Sequence, residues 1–476
     1  MIGAPARLYR RFSTLFAWAG ASVVTIGLSF LINVLVARAY SVPEVGAYFL
    51  ALLVMQFMTV AAATASNSNA LKVLTELPEA ERTGGAAALL RAAAGLAALW
   101  LAAALAGLAV LAAFAPDLAA PVIAGGLTAG AAQAVFTAAQ NAQLTGGRKR
   151  QVAGALAGAE TVRLVLSVAA VAAGLGVEWQ LYAVAASRLA VVGWIMSRVP
   201  ALLRAPSSPL PLRRVVTDGL HLQGAQVAAI AAVRLFDGAV VIGRGVAELG
   251  LFGVAAQIPG QLQRVFEWFR PLLTQVLVET ESLRGEGAVR LGGLLALAAA
   301  AAAAPLALFA PEIVSLVYGA KYMDAAPAFA LMAVAAVGTL LSFFFSIVLV
   351  ADGKPRQVVF GPTALGIVGA GACLLLVGPY GASGAAVALL LGQAASATAN
   401  TVSLLGAARA LAVTTLLRLW WPTAALAGAV ALLAYGGDSL ILRAGAAAAL
   451  AAAFLLVAWR ARGAAGPVLA AVREPH

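Results

Sequence analysis

Apolar stretches of about 20 residues or more, the length a helix needs to cross a hydrocarbon core, recur from one end of this chain to the other. Only short polar breaks separate them, and no soluble domain fits between. In lipid every backbone amide and carbonyl must find a partner within the protein, which leaves helices or a closed barrel. The runs of Ala, Leu, Val and Gly lack the alternation of a barrel strand, so an all-α integral membrane fold is expected. Composition agrees: 11% of residues are charged and 63% hydrophobic, whereas soluble domains carry about 25% charged residues.

Fourteen spans are expected, near 12–37, 43–66, 86–114, 117–143, 151–174, 178–198, 215–242, 247–277, 288–310, 324–350, 356–378, 383–407, 415–436 and 439–459. The first, Phe12 to Ala37, exceeds the roughly 7–15 apolar residues of a cleaved signal peptide and reads as a membrane helix. Across this layout Lys and Arg divide 22 to 4 between the two faces, with 5 of the 31 inside helices. The positive-inside rule then places both termini in the cytoplasm, as expected of a multi-pass protein of the cell's inner membrane.

An internal repeat organises the spans. Glu44, Gly46 and Tyr48, close after Arg38 at the first external turn, return 204 residues later as Glu248, Gly250 and Phe252, close after Arg244. Six helices lie between the copies, which implies parallel halves. Residues 199 to 214, with four prolines and three arginines, read as a cytoplasmic connector. The expected divisions are an N-terminal lobe at 1–205, a C-terminal lobe at 206–410, and two further helices with a tail at 411–476. Gly126-x-x-x-Gly130 and Gly154-x-x-x-Gly158 would permit close helix approach, within one lobe rather than between copies, and the protein is expected to be a monomer.

Several chemistries lack their residues. His221 and His476 have no Cys or carboxylate partners at ligand spacing, so no metal site is expected. Cys373 is alone, and no Gly-x-x-x-x-Gly-Lys-Ser/Thr loop is present. No cofactor is expected. The basic residues are scattered over short loops rather than gathered in a patch, which excludes nucleic acid as a partner.

What remains is a set of ionisable residues at membrane depth: Glu160, Arg163, Arg188, Arg234, Asp237, Arg264, Glu267 and Arg270. Each costs about 2.5–3.5 kcal/mol at a helix centre, so each needs a partner or a task. Glu160 with Arg163, Arg234 with Asp237, and Glu267 with Arg264 or Arg270 have the i, i+3 spacing of internal pairs. Five arginines against three carboxylates leave a surplus that suits an anionic guest. Arg188 has no acid within four positions on its own helix. Arg264 shares a helical stripe with Gln257, Gln261, Trp268 and Gln275. These two arginines are expected to meet the anion, while Arg163, Arg234 and Arg270 are balanced by Glu160, Asp237 and Glu267. Further polar stripes run through Ser22, Thr25, Ser29 and Asn33, through Gln133, Thr137 and Gln140, and through Gln223, Gln226, Arg234 and Asp237, as expected around a wet cavity between two lobes.

Four segments in order, VARAYSVPEVGAYFL (36–50), FDGAVVIGRGVAELGLFGVAAQI (236–258), VYGAKYMDAAPAF (317–329) and YGASGAAVALLLGQ (380–393), give the chain a family likeness over nearly its full length. It resembles the polysaccharide or oligosaccharide-lipid flippases of the multidrug/oligosaccharidyl-lipid/polysaccharide exporter superfamily. The resemblance implies two six-helix lobes plus two C-terminal helices, and transport of a polyprenyl-diphosphate-linked oligosaccharide to the outer leaflet without enzymatic chemistry. It makes Arg163, Arg188, Arg234, Arg264 and Arg270 candidates for the diphosphate, with Gln257, Gln261, Trp268 and Asn33 beside them. The lipid-linked glycan, membrane lipids and polysaccharide biosynthesis enzymes are the implied partners. Lipid II flippases share the fourteen-helix layout and are the near alternative. A membrane glycan polymerase or ligase would need an external catalytic loop larger than the segment at 311–323.

Overall fold

The computed structural model describes residues 3–62, 74, 77–114, 120–145, 149–199, 230–279 and 285–436, with isolated residues 445, 448, 449, 452 and 454 beyond. Residues 200–229, which take in the expected connector from 200 to 214 and the first half of the span expected at 215–242 with Gln223 and Gln226, and most of the span expected at 439–459, lie outside the described residues. No strand occurs among the described residues, and the all-α membrane fold is as expected. The chain forms two compact units, Met1–Ile230 and Ala231–His476.

In the first unit α1 (Gly3–Ala39), α2 (Val42–Ala62), α3 (Glu79–Phe114), α4 (Ala120–Thr145), α5 (Lys149–Ala172) and α6 (Glu178–Arg198) follow the first six expected spans. Helix α4 is the hub, packed against α2, α3 and α6, while α1 packs on α5. The approach of α4 to α2 depends on missing side chains. A Cβ at Gly126 would lie 2.5 Å from the Ala51 carbonyl oxygen, and one at Gly130 2.6 Å from that of Met55. The Gly126/Gly130 pair therefore packs within one unit, as expected, and Thr59 adds a hydroxyl bond to the Gly130 carbonyl at 3.3 Å. Gly154 and Gly158 behave differently: nothing lies within 4 Å of an added Cβ at either.

The second unit contains α7 (230–244), α8 (Val246–Glu279), α9 (Glu286–Leu308), the short α10 (Ala310–Tyr318) with a 3-10 turn at Ala320–Ala325, α11 (Ala326–Ala351), α12 (Phe360–Leu405) and α13 (Val413–Gly436). Here α11 is the hub, against α8, α9 and α12. The fourth helix of the first unit and the fourth long helix of the second thus have corresponding neighbours, and Gly369 on α12 lies against Phe236 of α7 as α5 lies against α1. The hub buries Phe329, Val337, Leu341 and Phe345 at its centre.

Helix α12 covers two expected spans, 356–378 and 383–407, folded about one residue. Gly381 has φ 56°, a backbone conformation that disfavours a Cβ, and it breaks the helix after Pro379. Both repeat residues of the α7–α8 turn seize this break. Arg244 donates to the Pro379 carbonyl at 2.9 Å, and Glu248 accepts the Ala382 amide at 2.6 Å. A cation on a helix's last carbonyls and a carboxylate on the next helix's first amides both oppose the local dipole charge. In the first unit the equivalent α5–α6 turn is held otherwise: the Tyr40 hydroxyl donates to the Leu175 carbonyl at 2.9 Å and accepts from Gln180 at 3.1 Å. Burial pushes the Tyr40 hydroxyl's pKa up, which keeps it a proton donor.

Candidate functional site

The deepest charges of the first unit meet where α1, α2, α4, α5 and α6 contribute one or two residues each. Glu160 on α5 is 3% exposed, Arg163 6%, and Arg188 on α6 9%, so all three charges have been taken out of solvent. Glu160 spends both oxygens. Its Oε2 accepts from Arg163 Nη1 at 3.2 Å, one turn along the same helix. Its Oε1 accepts from Arg188 Nη2 on the neighbouring helix.

Each guanidinium is then braced from a second side. Arg188 Nε donates to Gln133 Oε1 on α4 at 2.8 Å, and its guanidinium stands 5.1 Å from the Phe136 ring centroid. Arg163 Nη2 donates to the hydroxyl of Tyr48 on α2 at 2.8 Å, and that hydroxyl donates onward to Asn33 Oδ1 on α1 at 3.2 Å. Two guanidinium donors, Arg163 Nε and Arg188 Nη1, are buried with no protein partner. Two arginines share one carboxylate, so the cluster holds one positive charge in excess and two donors unspent.

The Glu160–Arg163 pair follows the expected spacing, and Arg188, with no acid within four positions on its own helix, pairs with one on another. Its partner is 28 residues away on another helix, invisible to a rule that searches one helix at a time. Tyr48 and Gln133 are the other partners that were missed in this role. Tyr48 read only as the aromatic of a turn motif, and Gln133 only as one member of a polar stripe; Gln133 also donates to Thr137 at 3.3 Å along that stripe.

In the second unit Arg234 Nη1 meets Asp237 Oδ2 at 2.7 Å, the expected i, i+3 pair, with the arginine side chain 31% exposed. Gln257 and Gln261 lie on α8, where Gln261 donates to the Gln257 carbonyl at 2.9 Å. The side-chain oxygen Oε1 of Gln261 is buried without a partner. The side chains of Arg264, Glu267, Trp268, Arg270 and Gln275 lie outside the described residues, so the arginine stripe of α8 rests on sequence alone. Among the described members of the membrane-depth set, the arginine surplus sits in the first unit.

No family model and no curated protein matches the sequence. Solved structures match the fold. A structure of the lipid II flippase MurJ in an inward closed conformation is 10% identical with TM-score 0.70, covering 93% of this chain and 98% of that one. An inward-facing multidrug resistance MATE family transporter of the MOP superfamily is 15% identical with TM-score 0.65, covering 87% and 98%. A MOP superfamily transporter from Pyrococcus furiosus, whose reversed binding-pocket polarity suggests a different function, is 15% identical with TM-score 0.57, covering 84% and 96%. The chain therefore has the multi-pass, all-α membrane fold of these flippases and transporters, in agreement with the resemblance carried by its motifs.

Proposed function

We propose that the chain is a flippase that carries a polyprenyl-diphosphate-linked oligosaccharide from the cytoplasmic to the outer leaflet by alternating access, with both termini cytoplasmic. The single observation that carries the proposal is the buried cluster of Arg163 and Arg188 around Glu160, with one positive charge in excess and two donors unspent. A buried positive charge at membrane depth is costly unless something anionic visits it. Guanidinium suits a phosphate visitor, since its planar fork meets two phosphate oxygens at once and it stays charged in a low dielectric. Arg264 and Arg270, with Gln257, Gln261 and Trp268 on α8, are proposed to complete the binding of the lipid-linked head. Arg234 is proposed as a weaker contributor, because Asp237 already balances it.

The test uses Arg188, because its removal leaves Arg163 and Glu160 as a neutral pair and leaves no charge stranded. Arg188→Gln is expected to reach the membrane at close to wild-type level yet lose flipping of a fluorescent polyprenyl-diphosphate saccharide in proteoliposomes. Arg188→Lys is expected to recover only part, since the charge returns without the fork. Wild-type flipping by the Gln variant would defeat the assignment.

A second reading, lipid II as the substrate, is favoured by the fold match to a lipid II flippase over 93% of this chain. Both substrates present a diphosphate, so the sugar decides between them. Competition of flipping by lipid II, against competition by a lipid-linked glycan lacking the peptide, separates the two.

A further inference from the structure

The 204-residue offset that relates Glu44 to Glu248 also relates Asn33 to Asp237 and Tyr48 to Phe252. In the second unit the carboxylate of Asp237 cancels Arg234, and the ring of Phe252 is fully apolar. In the first unit an amide stands where the carboxylate would be, and a hydroxyl links it to an arginine. Tyr48 bonds Arg163 directly, and Asn33 reaches it through the Tyr48 hydroxyl.

We infer that Asn33 is a positioning residue that, through the Tyr48 hydroxyl, keeps the anion site of the first unit positively charged and fixes Arg163 within it. The inference rests on reading that cluster as the anion site. A phenolic hydroxyl has a single proton. Tyr48 gives it to Asn33 Oδ1, so the lone pairs that remain must face Arg163 Nη2. Donation therefore runs one way, from Arg163 to Tyr48 to Asn33, and ends on a neutral acceptor. Arg163 is thereby held by Glu160 at one end nitrogen and by Tyr48 at the other, while its Nε is the nitrogen with no protein partner. Were residue 33 a carboxylate, as its counterpart is, the chain would end on a negative charge no more than about 6 Å from the guanidinium, by the sum of the two bonds. Two arginines would then face two carboxylates, and the site would have no charge left for a phosphate. The class of ligand follows: an anionic head, rejected once residue 33 carries its own anion.

The substitution that tests this is isosteric. Binding of farnesyl diphosphate, with farnesol as the uncharged control, is measured on the purified full-length protein for Asn33→Asp, Asn33→Ser, Tyr48→Phe and Arg188→Gln. Asn33→Asp is expected to weaken farnesyl diphosphate by about tenfold or more with farnesol unchanged, since a like charge now sits near the phosphate. Asn33→Ser, which stays neutral, is expected to remain within about threefold of wild type. Wild-type affinity in the Asp variant overturns the inference, and so does an equal loss in the Ser variant, which would make position 33 a matter of packing. Should Asn33→Asp fail to fold, Tyr48→Phe decides: weakened diphosphate binding with farnesol intact supports the relay, and unchanged binding refutes it. Arg188→Gln separates the two levels. If it binds the diphosphate as wild type does, the anion site itself is misplaced; if it fails while Asn33→Asp binds normally, only the role of Asn33 falls.

Discussion

The hub helix of the first unit turns Gln133 and Phe136 toward an arginine, whereas the hub of the second turns Ser342 and Ser346 toward Ser396 and Asn400 on α12. The Ser342 and Ser396 hydroxyls are 2.6 Å apart, and Asn400 Nδ2 donates to the Ser342 carbonyl at 3.0 Å and to Ser346 Oγ at 3.1 Å. One packing scheme thus spends its buried polar groups on charge in one unit and on neutral helix–helix bonding in the other. The neutral network is closed apart from Asn400 Oδ1 and acts as glue between α11 and α12. The charged one has a net charge and open donors at two of its members, as the anion site proposed for it would require.

The largest expected effect breaks the comparison at its charges. Glu160→Ala strands two buried arginines and is expected to cost about 3–5 kcal/mol, seen as loss of folded protein in thermal unfolding. Asp237→Ala strands one arginine that still reaches solvent and is expected to cost far less. Equal losses would erase the distinction between the units. Next in size is the packing at the hubs. Gly126→Ala drives a Cβ against the Ala51 carbonyl, a backbone atom that cannot step aside, at a cost of about 1–3 kcal/mol. Gly338→Ala meets the Gln393 side chain at 3.2 Å, where a small shift suffices, and is expected to be milder by the same unfolding measurement. A reversed order would mean that the second hub is the tighter one. The smallest effect belongs to the repeated glutamates. Glu248→Ala removes the cap from the helix starting at Ala382 and is expected to cost about 1 kcal/mol. Glu44 bonds Ser41 through its amide at 2.8 Å and its hydroxyl at 2.6 Å, both exposed, and its removal is expected to cost only about 0.5 kcal/mol. Hydrogen exchange at the Ala382 amide, faster in Glu248→Ala and unchanged in Glu44→Ala, sharpens that contrast.

Features that repeat along one helix were legible in the sequence. The spans followed from apolar length, the Gly126/Gly130 contact from spacing, and the Glu160–Arg163 and Arg234–Asp237 pairs from the i, i+3 rule. Contacts set by which helix lies beside which were not legible. Arg188 finds Glu160 only because α5 and α6 pack together, and Tyr48 reaches Arg163 over 115 residues of sequence. The four-residue polar network of the second unit was passed over although Ser342 with Ser346, and Ser396 with Asn400, each have the i, i+4 spacing of a stripe; that the two stripes face each other depends on the packing of α11 against α12. The segment at 311–323, read as an external loop, is largely α10 and its 3-10 turn, with Tyr318 and Tyr322 edge to face at 6.4 Å beneath it. Short amphipathic turns of this kind are set by what they cover rather than by their own pattern.

The odd charge of the first unit also has an electrical meaning. A unit charge carried fully across a membrane does about 2.3 kcal/mol of work per 100 mV, and a partial displacement does a proportional fraction. On the reading proposed above, the empty Arg163–Glu160–Arg188 cluster would carry a net charge of +1 that a negative interior favours toward the cytoplasm. A glycan-bearing diphosphate would bring two negative charges, so the loaded cluster would carry a net negative charge and be favoured away from a negative interior. On that reading the resting voltage would favour both the outward stroke of the loaded protein and the return of the empty one.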